Sequence, residues 1–154
     1  MASTGRKTSK RPGRPGSRPH ARYLVDTQCL LWWYADAPQL PRAYRALLRA
    51  VEASGRPVAV AAISLWEIAK LVEKGRIAVP RPVEEYLRQV EENPAIEVLP
   101  LDAAVAAEST RLGPTFPRDP ADQLVAATAR VHGRQLLTTD RLIGASGAVV
   151  VVPF

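Results

Sequence analysis

Residues 22–26 read RYLVD: three apolar residues in succession, Tyr23, Leu24 and Val25, closed by an acid. A strand with one face in water alternates apolar and polar residues, whereas a strand covered on both faces reads as a continuous apolar run. RYLVD is of the second kind and predicts a buried strand over residues 22–25. The same pattern returns in PVAVAAI (57–63), IEVLPL (96–101), QLLTT (135–139) and AVVVV (148–152). Between these runs the apolar spacing is helical. TQCLLWWYA follows the first strand, and PRAYRALLRAVEASG starts at Pro41 and stops at Gly55. SLWEIAKLVEKG closes at Gly75, PVEEYLRQVEEN opens at Pro82, DAAVAAESTRLG is capped by Asp102, and DPADQLVAATARVHG ends at Gly133. Five buried strands separated by helices predict an α/β three-layer fold, a five-stranded and mainly parallel sheet with helices on both faces.

At 154 residues and 47% apolar content, the chain fits one domain with its own core. Seven basic residues and no acid fall within residues 1–22, and the other 14 basic residues face 15 acids. The net charge of +6 therefore belongs to the leader, and the rest of the chain is near neutral. That leader, GRKTSKRPGRPGSRPHAR (5–22), is rich in Pro, Gly and Ser and has no large aliphatic residue. It predicts a disordered basic tail over residues 1–21 ahead of a domain over 22–154. A solvated leader, or a start codon assigned too far upstream, is the first expectation for it, and a salt-sensitive phosphate anchor the second. His20 in this tail has no metal-ligand spacing. The sole cysteine, Cys29, excludes an intramolecular disulfide and a cysteine metal site, and it fits buried packing in a reducing, cytoplasmic setting. The longest apolar stretch, VAVAAISLW (58–66), is far short of the roughly 20 residues of a membrane span, so no membrane association is expected. Trp32, Trp33 and Trp66 are expected in core or partner-facing packing, and Tyr34, Tyr44 and Tyr86 in packing.

In open parallel sheets ligands bind beyond the carboxyl ends of the strands. Asp26 directly follows the first strand and Asp140 the fourth, while Glu67 lies near the start of the helix after the second strand and Asp122 in the first turn of the helix begun by Pro120. Each acid has a structural role open to it. Asp119 reads as an N-cap, Pro120 as the first helical residue and Asp122 as an acid favoured by the helix dipole, and Ser64 with Glu67 has the S-x-x-E spacing of a capping box. The convergence of Asp26, Glu67, Asp122 and Asp140 from four segments onto one rim has no such structural motive. Four anions in one cleft repel unless a cation offsets them. Hard cations such as Mg²⁺ or Mn²⁺ prefer oxygen ligands and often share them with a substrate phosphate, and the set holds no His or Cys that would suit zinc. The chemistry predicted is metal-assisted hydrolysis of a phosphodiester.

YLVDTQCLLWW (23–33), AISLWEIAKLVEKGRI (62–77), RDPADQLVAATA (118–129) and LLTTDR (136–141) follow one another in this order. On these stretches the sequence resembles PIN-domain ribonucleases, and among them the VapC-type toxins of type II toxin–antitoxin systems, over about residues 23–154. The resemblance implies a Rossmann-like PIN fold and an Mg²⁺- or Mn²⁺-dependent endoribonuclease acting on RNA. It also implies a cognate antitoxin that neutralises the enzyme, and a homodimer. Asp26, Glu67 and Asp122 resemble the family's first three acids, catalytic residues that bind the metal directly or through water. Asp140 resembles the fourth, joining them or supporting a second metal. Thr27 and Thr138 would be hydroxyls that orient the carboxylates, Ser64 would position Glu67 while capping its helix, and Asp119 would cap and pair with Arg118. Arg118 and Arg141 are candidates for RNA phosphate contact, with Lys70, Lys74 and Arg76 as further candidates on the helix of Glu67. His132 reads as a dipole partner at its helix C-terminus. An exposed patch of Trp32, Trp33 or Leu71 would receive an amphipathic antitoxin helix.

Two other readings compete. A phosphotransferase using Asp26 as nucleophile would want a second acid in the same loop and a late lysine, and no lysine follows Lys74. A non-catalytic PIN-like RNA- or protein-binding module would be favoured by loss of the acids, and all four are present.

Overall fold

The run YLV forms a three-residue strand, β1 (Tyr23–Val25), paired on both edges in the computed structural model, which describes residues 20–154. β2 (Val58–Ala61) lies on one side of β1, β3 (Ile96–Leu99) lies beyond β2, and β4 (Gln135–Leu137) lies on the other side of β1. The order is β3-β2-β1-β4 and every pairing is parallel, with Leu24 level with Ala59 and Leu136, and Val60 level with Val98. The connections are helical: α1 (Thr27–Tyr34) and α2 (Arg42–Ala53), α3 (Ala62–Glu73) and α4 (Val83–Glu92), then α5 (Ala103–Ser109) and α6 (Pro120–Val131). A short α7 (Arg141–Ser146) follows β4 and ends at Gly147, whose φ of +66° is a left-handed conformation open to glycine.

The continuous apolar runs are explained by two cores. Leu24, Ala59, Ala61 and Leu136 pack on one face of the sheet, with Phe116 and with Val125, Ala126 and Ala129 of α6. Their strand neighbours Val25, Val58, Val60 and Leu137 pack on the other, against Cys29, Tyr44, Leu48 and Ile68. Successive strand residues point to opposite faces, so a sheet covered on both sides needs an apolar residue at every position. The alanines of α6 let that helix approach the sheet and α5 closely. Tyr44 is fully buried, and its hydroxyl shares its one proton between the carbonyls of Thr138 (2.9 Å) and Val152 (2.6 Å).

Three expectations change. The fifth strand over 148–152 does not form. Val151 makes a single bridge to Leu136, framed by Leu136 N–H to Val150 O (2.8 Å) and Val152 N–H to Leu136 O (2.9 Å). β4 is only three residues long and offers little edge to extend, and Val150 is 65% exposed. Secondly, α3 begins at Ala62, straight out of β2, with no side-chain cap. Ser64 is thus inside the helix and buried, its hydroxyl hydrogen-bonded to Thr27 Oγ1 at 2.8 Å, so Ser64 and Glu67 make no capping box. Thirdly, of the two placements expected for Trp66, core or partner-facing, the core one does not hold. Ser64 and Ile68 turn into the protein, and Trp66, two residues from each, faces outward at 55% exposure. The expected basic tail lies outside the described residues except for His20 and Ala21, and Ala21 is buried with its N–H donating to Glu97 Oε2 at 3.1 Å.

Leu136 is the central residue of the edge strand β4 and is fully buried, whereas Leu142 is 67% exposed on α7. Urea unfolding of Leu136→Ala should show a loss of about 2–5 kcal/mol. Leu142→Ala should stay within about 0.5 kcal/mol of the parent. Equal losses at the two positions would refute this placement of the core.

Candidate active site

The strand order turns round at β1: the chain steps from β1 to β2 to β3 in one direction and then returns to the far side of β1 for β4. At such a switch the connections leave in opposite directions and a crevice opens at the strands' carboxyl ends. Asp26 N–H donates to Leu137 O at 3.0 Å, which holds the ends of β1 and β4 level. Asp26 leaves β1 at this point and Thr138, Thr139 and Asp140 leave β4. α3 and α6 bring in Glu67 and Asp122. The result is a cleft of about 350 Å³ walled by Asp26, Thr27, Glu67, Asp122 and Asp140, with Leu71 as an apolar wall.

Three of these acids are held by donors. Asp26 caps α1, its Oδ1 accepting from Cys29 N–H at 2.6 Å, and Asp140 caps α7, accepting from Leu142 N–H at 2.7 Å and Ile143 N–H at 3.3 Å. A helix N-terminus is partly positive, so each cap also offsets charge. Glu67 accepts from the Thr27 hydroxyl, which is also bonded to Ser64, so a buried chain of Ser64, Thr27 and Glu67 joins α3 to α1. Thr138 is buried, its hydroxyl accepting from Asp140 N–H at 3.1 Å.

Burial is the main cause that raises the Asp26 and Glu67 carboxyls above their ordinary values, with the Thr138 and Thr27 hydroxyls pulling them back down. Among the described residues Asp122 has no such relief. Burial raises it first, and then the charges of Asp119, Asp140, Glu67 and Asp26 add to the effect, pushing it up to about 6. Against this clustering stands the spacing: among the described residues, no three Asp, Glu, His or Cys side chains are already gathered closely enough to hold one ion. The two observations are compatible for a small hard cation that keeps several of its waters and is reached through them.

The expected residues divide accordingly. Asp26, Glu67, Asp122, Asp140 and Thr27 line the cleft, and Ser64 and Thr138 are buried behind it. Asp119 caps α6, accepting from Ala121 N–H at 2.9 Å and Asp122 N–H at 3.2 Å, while among the described residues the expected pairing with Arg118 is not made. Arg118 and Arg141 are exposed and are not part of the cleft lining. Leu71 lines the acid cleft instead of sharing a patch with Trp32. His132 ends α6 as expected. Gln28 and Thr139 line the cleft without having been singled out. Their signal was adjacency alone, each following a hydroxyl residue that supports a carboxylate. A larger recess, about 680 Å³, lies between the end of α6 and residues 147–150, but its one carboxylate, Glu108, is taken by Arg130 at 2.8 Å, so volume does not choose the site.

The PIN domain family matches residues 23–144. Over 118 residues the chain is 41% identical to Ribonuclease VapC22 of Mycobacterium tuberculosis, spanning 77% of this chain and 86% of that protein. Among solved structures, VapBC2 from Rickettsia felis bound to a DNA fragment from their promoter aligns with a TM-score of 0.63 at 16% identity, over 84% of this chain and 96% of that one. A toxin–antitoxin complex from Klebsiella pneumoniae aligns with a TM-score of 0.59 at 22% identity, over 86% and 98%. These two likenesses are of fold. The family match contains all four cleft acids, and with the extent of the VapC22 likeness it settles kinship: the chain belongs to the PIN-domain family, in its VapC ribonuclease branch.

Proposed function

We propose that this protein is a divalent-metal-dependent endoribonuclease, the toxin of a toxin–antitoxin pair, which hydrolyses RNA phosphodiester bonds in the cleft of Asp26, Glu67, Asp122 and Asp140. The observation that carries this is the surroundings of Asp122: three other cleft acids and Asp119 all act on it, in a half-buried position with no compensating donor among the described residues. Like charges so arranged destabilise a fold and are tolerated where a cation or a substrate brings the opposite charge. Kinship with a protein named as a ribonuclease supports the same chemistry.

A donor set made only of carboxylate oxygens fits a hard ion, Mg²⁺ or Mn²⁺. Asp26, Glu67 and Asp122 would hold it, and Asp140 would complete the set. When bound, such an ion offsets charge on the scissile phosphate and makes a water more acidic. The chain's own contribution is positioning. The caps of α1 and α7 fix Asp26 and Asp140, and the Thr27 hydroxyl fixes Glu67, so the carboxylates are aimed before substrate arrives. A separate recess of about 470 Å³ between α1, α4 and residues 77–81 is lined by Leu31, Trp32, Tyr34, Ile77 and Tyr86. An apolar groove of this kind suits the amphipathic helix of a cognate antitoxin. A homodimer in the cytoplasm completes the proposal. Among the described residues no helix is long and apolar enough to cross a membrane.

Purified protein free of antitoxin should cleave an RNA pool with Mg²⁺ or Mn²⁺ and not with EDTA. Asp26→Asn and Asp122→Asn should each lose at least the ~100-fold that removal of a ligand-supporting residue can cost, and Thr27→Val about 10- to 100-fold. Wild type and variants equally inert on RNA would favour a binding module instead.

The electrostatics give a second expectation, for metal-free protein in EDTA. Asp26, Glu67 and Asp122 have folded-state values above their unfolded ones, so the native state binds the extra protons. Their contribution to stability is present at low pH and is lost as pH rises through the folded values, about 6 for Asp122. The difference in Tm between Asp122→Asn, which cannot ionise there, and wild type should therefore grow in favour of the variant between about pH 5 and about pH 7.5. A change of about 3 °C or more is expected, and Mn²⁺ should reverse it at the higher pH. A difference that shrinks as pH rises would overturn the assignment.

A further inference from the structure

Trp66 has no packing role that accounts for it. It is 55% exposed on a helix that otherwise turns Ser64 and Ile68 into the protein, and leaving an indole in water forgoes burial that few side chains can match. Beside it lies a recess of about 260 Å³, with Lys70, Lys74 and Arg76 on the α3 side and Asp119 and Pro120 on the α6 side. Trp66, Lys70 and Lys74 are four residues apart and so follow one face of the helix and its cap. The recess shares Glu67 and Leu71 with the acid cleft, so the two form one groove, anionic at one end and cationic at the other.

Structural roles explain part of this. Lys70 pairs with Glu73 at 2.7 Å, but an exposed pair of this kind contributes little. Lys74 and Arg76 suit the negative end of the α3 dipole. Neither role requires an exposed tryptophan next to three cations at the mouth of a hydrolytic cleft. Cations spaced along a groove with an aromatic face beside them are what an unpaired nucleic-acid strand needs: phosphates meet the charges and a base stacks on the ring.

We propose that Trp66, Lys70, Lys74 and Arg76 form a subsite for single-stranded RNA beside the scissile phosphate, Trp66 stacking on a base and the three cations holding the neighbouring phosphates. The proposal rests on the ribonuclease assignment of the cleft and adds to it the residues that grip the strand. The nucleotide next to the cut is unpaired, because a base inside a helix is already stacked on both sides.

The test uses the full chain carrying Asp26→Asn, so that RNA is bound without being cut, and fluorescence anisotropy of a labelled, unstructured RNA strand over a salt series. Trp66→Ala should weaken binding about 5- to 150-fold, the range of one base–aromatic stack. Trp66→Phe should retain most of the affinity. Replacing Lys74 and Arg76 by alanine should lower the salt slope by about 0.7 for each cation removed. Arg49→Ala, on the exposed face of α2, should leave the slope as it was, and the same strand in a duplex should be insensitive to Trp66→Ala. Binding by Trp66→Ala within twofold of the parent overturns the proposal, as does an unchanged salt slope. So does RNA binding that survives while capture of a purified antitoxin is lost, which would make the groove a protein site. Cleavage with Mn²⁺ separates the two levels. If the chain with Asp26 intact cuts RNA and its Trp66→Ala variant cuts with the same KM, the subsite falls and the nuclease assignment stands. If the wild type neither cuts nor binds RNA, both fall.

Discussion

β1 is three residues long, is hydrogen-bonded along both edges and is buried on both faces, and the rest of the molecule is arranged around those facts. A strand so short offers its neighbours little contact, one residue pair with β2 and three with β4, so its side chains must serve both cores, Leu24 one and Val25 the other. Because β2 and β4 take opposite edges, the chain has to leave the top of β1 between them. The first residue out is Asp26, whose N–H is tied to Leu137 O across the gap and whose carboxylate starts α1. One short strand thus sets the centre of the sheet, the switch in strand order and the first acid of the cleft.

The acids of that cleft show how a fold accommodates charge that it does not need for stability. Asp26 and Asp140 each give one oxygen to a helix cap, and Glu67 is met by the Thr27 hydroxyl that Ser64 anchors. For these residues the structural role and the chemical one coincide, since the bond that satisfies the carboxylate also aims it. Asp122 differs. The cap of its own helix is Asp119, so Asp122 sits one turn further in, with no donor among the described residues and with Asp119, Asp140, Glu67 and Asp26 acting on it. Four anions act on this one residue, and an added cation there would offset all of them.

The surface around the cleft is polarised in a way that net charge conceals. Away from the leader, basic and acidic residues nearly cancel. Yet Lys70, Lys74 and Arg76 gather on one side of the acids, and Gln28 on the other side joins the cleft to the apolar recess of Leu31, Trp32 and Tyr86. Cationic, anionic and apolar surfaces therefore run in sequence past α3 and α1. An RNA strand and a helical protein partner would meet the enzyme from different sides of the same carboxylates.

The amino-acid sequence alone determined the layered α/β architecture, because continuous apolar runs are demanded wherever a sheet is covered on both faces. It also determined which acids stand at strand ends and early in helices, because strand-end position follows from chain order. The caps at Asp119 and Asp102 were legible for the same reason: capping is local, involving residues two or three apart. Tertiary structure decided what local spacing cannot express. Whether AVVVV extends the sheet depended on how much edge β4 has to offer, and the answer is a single bridge at Val151. Ser64 had the spacing of a cap, but β2 runs directly into α3 and Thr27 approaches from another helix, so its hydroxyl serves a long-range bond. Trp66 had the composition of a core residue, and only the rotation of α3 imposed by burying Ser64 and Ile68 turned it outward, next to the groove. Hydrogen bonds between neighbours in sequence can be read from the sequence, whereas the direction a side chain faces is set by whatever the rest of the chain packs against its helix.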